Sequence, residues 1–559
     1  MANKKYFWIS VLFIILSNTF VFYPSFYHNA RADQLVYLIE TADLEDLGDS
    51  INYSYSYCRN RLLLTGDKML FRPLFYIHLS LEKRLFGYNF FLWQVEGFLL
   101  HLAVIGLMLR MFLLIRPHFI AGIWAGSFSV LLIIAEMVIW HHISGYLLFL
   151  IFLLLALSEY ILYLRSARDK YLWTTVLYLT PAIFIYEFGV ICCAVMAMML
   201  MVDKGAVVPE GDGVKPKQWL QHFKPVILMV PVMAYGYVNV LDYYYRFAAK
   251  NPEATLAFGN GSSSAVLFLK SLAEMLWMGI SMPFLPYFGM LFSLPRTAFV
   301  MITGKQLLEM KVWPVPLLLN MLFVLVVIGL MVYILITVWC QRRRIFERMR
   351  TLSANEKIWR HFFILGVLLA LGYVVMMVVG RTLQEGREAY MVNSIYHFYP
   401  VCLFLTVAGY ILFSVLDEWL ERKKGLVVAL VIILVLGGVL NGARVYDFNV
   451  FAARKSAPWS RFFCSLYAFI KERKAEDNFS FRILWRDQYS LMQLKLGDPV
   501  TGKPIDSSTS DLLFRKYMRS EDPKYYLVYK EGLGLKVFTG REEGEAFVKT
   551  LSINQDAPD

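Results

Sequence analysis

Apolar runs of about 20 residues recur along this chain, each long enough to cross the hydrocarbon core of a bilayer. Hydrophobic residues make up 58% of its 559 positions, too many for a soluble protein of this length. Little water reaches the bilayer core, so each run must satisfy its own backbone polar groups, and a helix does so within one segment. The pattern therefore predicts an all-α polytopic membrane protein. The runs fall at about 8–24, 90–114, 119–140, 144–164, 171–186, 188–202, 225–245, 313–338, 359–379, 398–416 and 425–442. Residues 263–312 are apolar but broken by Pro283, Pro286 and Pro295. A re-entrant hairpin or a pair of short helices both fit them, because proline disrupts helix interiors. The expected total is about 11 spans, or about 13 if that segment enters the membrane.

The formal net charge is +12. The excess lies in short clusters at span ends: Arg110 with Arg116, Arg165 with Arg168 and Lys170, Arg342 to Arg344, and Arg422 to Lys424. That is the distribution of the positive-inside rule, not of a nucleic-acid surface, so no nucleic-acid partner is expected. Putting every basic cluster in the cytoplasm closes the topology. Lys4 and Lys5 precede the first run, and no small-x-small cleavage site follows it, so the run is expected to stay as an uncleaved span with a cytoplasmic N-terminus. Residues 25–89, the turn at 141–145, Glu187, residues 246–312, the loop 380–397 and everything after about 443 then face outward. This predicts a membrane domain over 1–443 and a small extracytoplasmic α/β domain over 444–559. In the tail, Trp459 to Lys471 reads as an amphipathic helix, and Phe479 to Trp485, Tyr525 to Tyr529 and Leu535 to Phe538 as strands. The six cysteines form no metal-binding spacing. Cys58 and Cys464 both fall outside on this topology, where an oxidising compartment would let them pair.

Candidate chemistry gathers on the outer side. Asp33 lies a few residues past the first span, near the headgroups, where a carboxylate can deprotonate a hydroxyl or help hold a divalent cation. The run from Arg72 and Pro73 to Gly87 reads as an interfacial helix, with proline at its first position and Leu74, Ile77, Leu81 and Leu85 on one face. Arg72 is either a snorkelling residue or a bidentate phosphate ligand. Glu187 sits between two apolar runs with almost no loop, and an ionisable residue there is a functional candidate or a water-exposed turn. His141 and His142 are adjacent, so they point different ways on a helix and are not expected to share a metal. The loop 380–397 is the second dense site: Arg381, Arg387, Tyr390 and His397 could bind a pyrophosphate and stack on a sugar. External arginines run against the positive-inside trend, which favours that reading over a plain interfacial belt.

Together these residues resemble the GT-C superfamily of membrane glycosyltransferases, nearest the bacterial dolichyl-phosphate-mannose-mannosyltransferase-like and O-mannosyltransferase-like proteins. Asp33, Arg72-Pro73-Leu74, Gly87 and His101 match the family pattern, and residues 380–400 echo its late external loop. Gln94 and Gly97 depart from it, Gln34 replaces a second acid after Asp33, and Tyr186 stands where the family has a lysine before Glu187. The resemblance implies a GT-C-like bundle in the plasma membrane, within the cell envelope. It implies a sugar moved from a polyprenyl-phosphate donor to a hydroxyl on a glycan, lipid or protein acceptor, with inversion. Asp33 would be the general base, Arg72, Arg381 and Arg387 would hold the donor phosphate, and Glu187, His101, Tyr390 and His397 would belong to the same pocket. No cofactor is specified by these residues, and a divalent cation is compatible with them. An O-antigen ligase or polymerase would place its large loop late, whereas here the long acidic loop comes early. A transporter would need mid-span charges and often inverted repeats, and most spans here lack the charges. A non-catalytic membrane scaffold is the remaining alternative, because the lost acid and lysine are departures that lost chemistry would leave.

Overall fold

The computed structural model describes residues 2–28, 72–87, 89–117, 120–203, 218–243, 317–343, 353–378, 399–419, 424–473, 479–486, 523–530 and 533–553, with a few isolated positions besides. Over these the protein is mostly helical, with a small sheet near the C-terminus, as an all-α membrane protein should be. The helices are α1 (Ala2–Phe22), α2 (Pro73–Phe86), α3 (Phe90–Ile115), α4 (Ile120–Ser129), α5 (Leu132–Ile139), α6 (Gly145–Ser166), α7 (Asp169–Ile185) and α8 (Phe188–Val202). They continue as α9 (Gln218–Leu228), α10 (Val230–Tyr243), α11 (Leu317–Cys340), α12 (Ala354–Met377), α13 (Tyr399–Trp419) and α14 (Lys424–Arg473). Three strands, β1 (Phe481–Arg486), β2 (Tyr525–Lys530) and β3 (Gly534–Phe538), and α15 (Arg541–Ile553) complete the set.

Six helices among the described residues are long and apolar enough to cross a membrane, and a seventh span results if α4 and α5 count as one. The 11 to 13 expected spans are thus matched only in part, for physical reasons. The 17 residues of α7 and 15 of α8 measure about 25 and 22 Å, short of a bilayer core of about 30 Å. The run at 225–245 is divided between α9 and α10, with Pro231 at the start of the second, where its missing N–H costs least. Residues 263–312 lie outside the described residues, apart from 272–273. On α1, Trp8, Leu12, Leu16 and Phe20 recur every fourth residue and are all exposed, the stripe a helix turns toward lipid.

The break between α4 and α5, a bend of 64°, sits beside a buried hydrogen-bonded knot. His101 Nε2 lies 3.0 Å from the Ser129 carbonyl and 3.1 Å from Asn18 Oδ1. Both are acceptors, so Nε2 carries the proton and satisfies a carbonyl at the end of α4. Asn18 closes the knot by donating to Ser129 Oγ at 2.7 Å.

Polar side chains gather at the two ends of the bundle. At one end, Trp359 Nε1 and Arg165 both donate to the Ile115 carbonyl, Arg116 stacks over Trp359, and Arg360 pairs with Asp203 at 2.7 Å. Lys224 pairs with Asp169 at 2.8 Å at the same end. These are the starts and finishes of helices that carry the basic clusters. The other end holds the start of α2, the α5–α6 turn and the α7–α8 corner.

The run expected to end near 442 does not stop there. α14 is one helix of 50 residues, so the expected division at 443/444 falls inside it. Beyond it β1 pairs parallel with β2, and β2 antiparallel with β3, in the order β1-β2-β3. The three strands start or end within two residues of the sequence expectation.

Candidate functional site

Pro73 starts α2 with φ already set for a helix, and Gly87 ends it with φ of +54°, a conformation glycine adopts without strain. Arg72 is the residue just before this helix. Its side chain crosses to the α7–α8 corner, 115 positions away in sequence. There Arg72 Nε donates to Glu187 Oε2 at 2.7 Å, and Nη2 donates to Oε1, a bidentate fork. The guanidinium lies over the Tyr186 ring at 4.5 Å and near the Tyr146 ring at 5.7 Å. Burial works to lower the Arg72 pKa, but the Glu187 carboxylate outweighs it and the guanidinium is held charged. Glu187 stands at the N-terminus of α8, where the helix dipole favours an anion.

A second polar group lies further along α2. His78 Nε2 is 3.4 Å from Glu82 Oε1 and 3.4 Å from Glu96 Oε1 of α3. His141, in the turn between α5 and α6, places Nδ1 3.9 Å from Glu82 and 3.9 Å from Glu96. Glu82 is only 3% exposed and His141 is fully buried. Apart from the Glu96 carboxyl that Glu82 faces, neither Glu82 oxygen and neither His141 ring nitrogen has a hydrogen-bond partner among the described residues. Burial and the facing Glu96 carboxylate push the Glu82 carboxyl well up. Burial holds the His78 imidazole down to about 4 and that of His141 to about 3, so both rings are neutral near pH 7.

Two close approaches hold these groups together. A Cβ on Gly145 would come 1.8 Å from the Phe75 ring, so α2 seats directly on the start of α6. A Cβ on Gly97 would meet the Val138 carbonyl at 2.6 Å and the His141 ring at 3.0 Å, so glycine lets α3 approach the turn carrying His141. Gly97 is therefore the residue that admits His141.

The structure thus brings together Arg72 and Glu187 from the sequence-derived set. His101 is fully buried in the bundle, in the knot with Asn18 and Ser129 described above. Asp33, Arg381, Arg387, Tyr390 and His397 lie outside the described residues, as does Cys58. Sequence reasoning does not single out Glu96, nor Glu82 and His78 as a unit. Two signals point to them: the i, i+4 spacing of His78 and Glu82 on a helix, and a carboxylate six residues inside an apolar span. Comparison of the chain with protein-family models, curated proteins and solved structures finds no match. Fold and site together define a helical membrane protein with two polar side-chain groups at one end of its bundle.

Proposed function

We propose that this protein is a membrane glycosyltransferase that moves a sugar from a polyprenyl-phosphate donor to a hydroxyl acceptor on the outer face of the membrane. The supporting observation is the meeting of Arg72 and Glu187, from segments far apart in sequence, with two tyrosine faces, at the end of the bundle away from the basic clusters. By the positive-inside rule that end is extracytoplasmic. An arginine has five N–H groups, and the fork to Glu187 takes two, leaving three for phosphate oxygens. Glu187 fixes the guanidinium in one orientation, so binding a phosphate costs less side-chain freedom. Tyr146 and Tyr186 are buried against each other and beside the guanidinium, so they brace Arg72 in place. In this scheme Arg381 and Arg387 add charge against the growing negative charge on the leaving phosphate. Asp33 takes the acceptor proton as the oxygen attacks the anomeric carbon opposite the leaving group, which inverts that carbon.

The test is transfer by protein reconstituted in lipid, given polyprenyl-phosphate glucose, mannose and N-acetylglucosamine in turn, with release of polyprenyl phosphate as the readout. Turnover with at least one donor that falls about 100-fold or more in Asp33→Asn supports the proposal. Wild-type turnover unchanged in Asp33→Asn removes the base, and no release from any donor with a range of hydroxyl acceptors favours the scaffold reading.

A further inference from the structure

We propose that His78, Glu82, Glu96 and His141 form a divalent-cation site, with zinc the cation that fits best. The argument stands apart from sugar transfer and needs no substrate. One ligand atom from each of His78, Glu82 and Glu96 lies within 4.8 Å of the others. The separations from His78 Nε2 to the two carboxylates are both 3.4 Å, and those from His141 Nδ1 are 3.9 Å. A tetrahedral zinc with ligands at about 2.0–2.1 Å needs ligand atoms about 3.3–3.4 Å apart. The His78 spacings meet this, whereas His141 Nδ1 stands 3.9 Å from Glu82 Oε1 and 3.9 Å from the other Glu96 oxygen, Oε2, just outside the group, and completes the set only after its ring shifts. Two imidazoles and two carboxylates make a donor set of intermediate softness that suits zinc over calcium or magnesium, whose sites are built from oxygen.

The second observation is that no hydrogen-bond donor from elsewhere among the described residues satisfies the Glu82 oxygens, and neither His141 ring nitrogen has a partner. A buried polar atom without a partner destabilises the fold, and His141 alone has two such nitrogens. Two buried carboxylates facing each other repel unless they share a proton or a cation lies between them. A cation takes one oxygen of each carboxylate and one nitrogen of each ring, whereas one shared proton leaves both His141 nitrogens unanswered. The four residues come from α2, α3 and the turn before α6, so a metal here would tie the helix that starts at Arg72 to the bundle. Along α2, Arg72 is six and ten residues from His78 and Glu82, about 9 and 15 Å. The site therefore lies beside the Arg72–Glu187 pair.

Full-length protein purified in detergent, stripped with chelator and dialysed, is titrated calorimetrically with Zn2+, and its bound metal is measured by mass spectrometry. The expected result is about one Zn2+ per chain, a raised melting temperature, and a Kd at least about 10-fold weaker in Glu82→Gln and in His141→Ala. The double variant Glu82→Gln, Glu96→Gln keeps the shapes of both side chains and removes their charge. It should fold without metal and show no zinc-dependent rise in melting temperature. Absence of a stoichiometric site for Zn2+ in the wild type, or the same stoichiometry and affinity in the double variant, would overturn the proposal.

Discussion

Arg72 and Glu187 each hold a charge that burial would otherwise penalise, with the two side chains only 13% and 21% exposed. Replacing Arg72 by Ala leaves Glu187 without its partner. The cost expected is about 2 kcal/mol, less than for a completely enclosed pair because Glu187 keeps some contact with solvent. Arg72→Lys keeps the charge but cannot make the two-pronged contact or lie flat on Tyr186, so it should recover stability only in part. Thermal unfolding of the three proteins in one detergent checks the order wild type, Lys, Ala. Gly145→Ala tests a different contact. Its methyl would collide with Phe75, and the resulting shift of α2 should cost about 1–3 kcal/mol and weaken zinc binding.

α2 was legible in the sequence and its working face was not. Pro73 and Gly87 mark its ends because each has a backbone requirement that can be read locally. The face of Leu74, Ile77, Leu81 and Leu85 is the obvious one, and the structure leaves Leu81 39% and Leu85 73% exposed, as a lipid-facing stripe would be. The buried face instead carries Phe75, Tyr76, Leu79, Ser80 and Glu82. Which face meets protein depends on what the rest of the chain presents, and local periodicity does not contain that. The same holds for His141. Its neighbour His142 draws attention in the sequence, but the residue it faces on α2 is Glu82, 59 positions away. The length of α14 was hidden differently: its apolar part ends near 450 while its helical hydrogen bonds run on to Arg473. The last 23 residues of α14 extend about 35 Å, so they must leave the bilayer core. Cysteine placed at exposed Arg461 should react with a membrane-impermeant maleimide from the outer side of intact cells or spheroplasts; reaction only after lysis would reverse the orientation.

Across the whole protein, the two ends of the bundle differ in charge and in work. Arginines and lysines that cap carbonyls and acids gather at one end, and the paired Arg72–Glu187 and the His78, Glu82, Glu96, His141 group lie at the other. The tail is held to the end of α14 by Phe469 against Phe481 and Tyr525, and by Glu476, which accepts from Tyr525 and pairs with Lys524 and Arg473. Those contacts hold the Glu476 carboxyl down to about 2, with Lys524 first, then Tyr525 and Arg473. A depressed acid stabilises the fold above its ordinary pKa of 4.5 and loses that contribution as pH falls toward 2. Hydrogen exchange of β2, corrected for intrinsic rates, should therefore quicken between pH 4.5 and 2, and Glu476→Gln should remove that dependence.

What joins these levels is the clamp of α2 onto the α7–α8 corner. A double-mutant cycle on Arg72→Ala and Glu187→Gln, read as apparent unfolding free energy in detergent, measures it directly. The two changes should be strongly non-additive, with a coupling of at least about 1 kcal/mol. Additivity to within about 0.3 kcal/mol would mean that the two side chains do not meet, and with that the gathering of distant residues at one end of the bundle would fail.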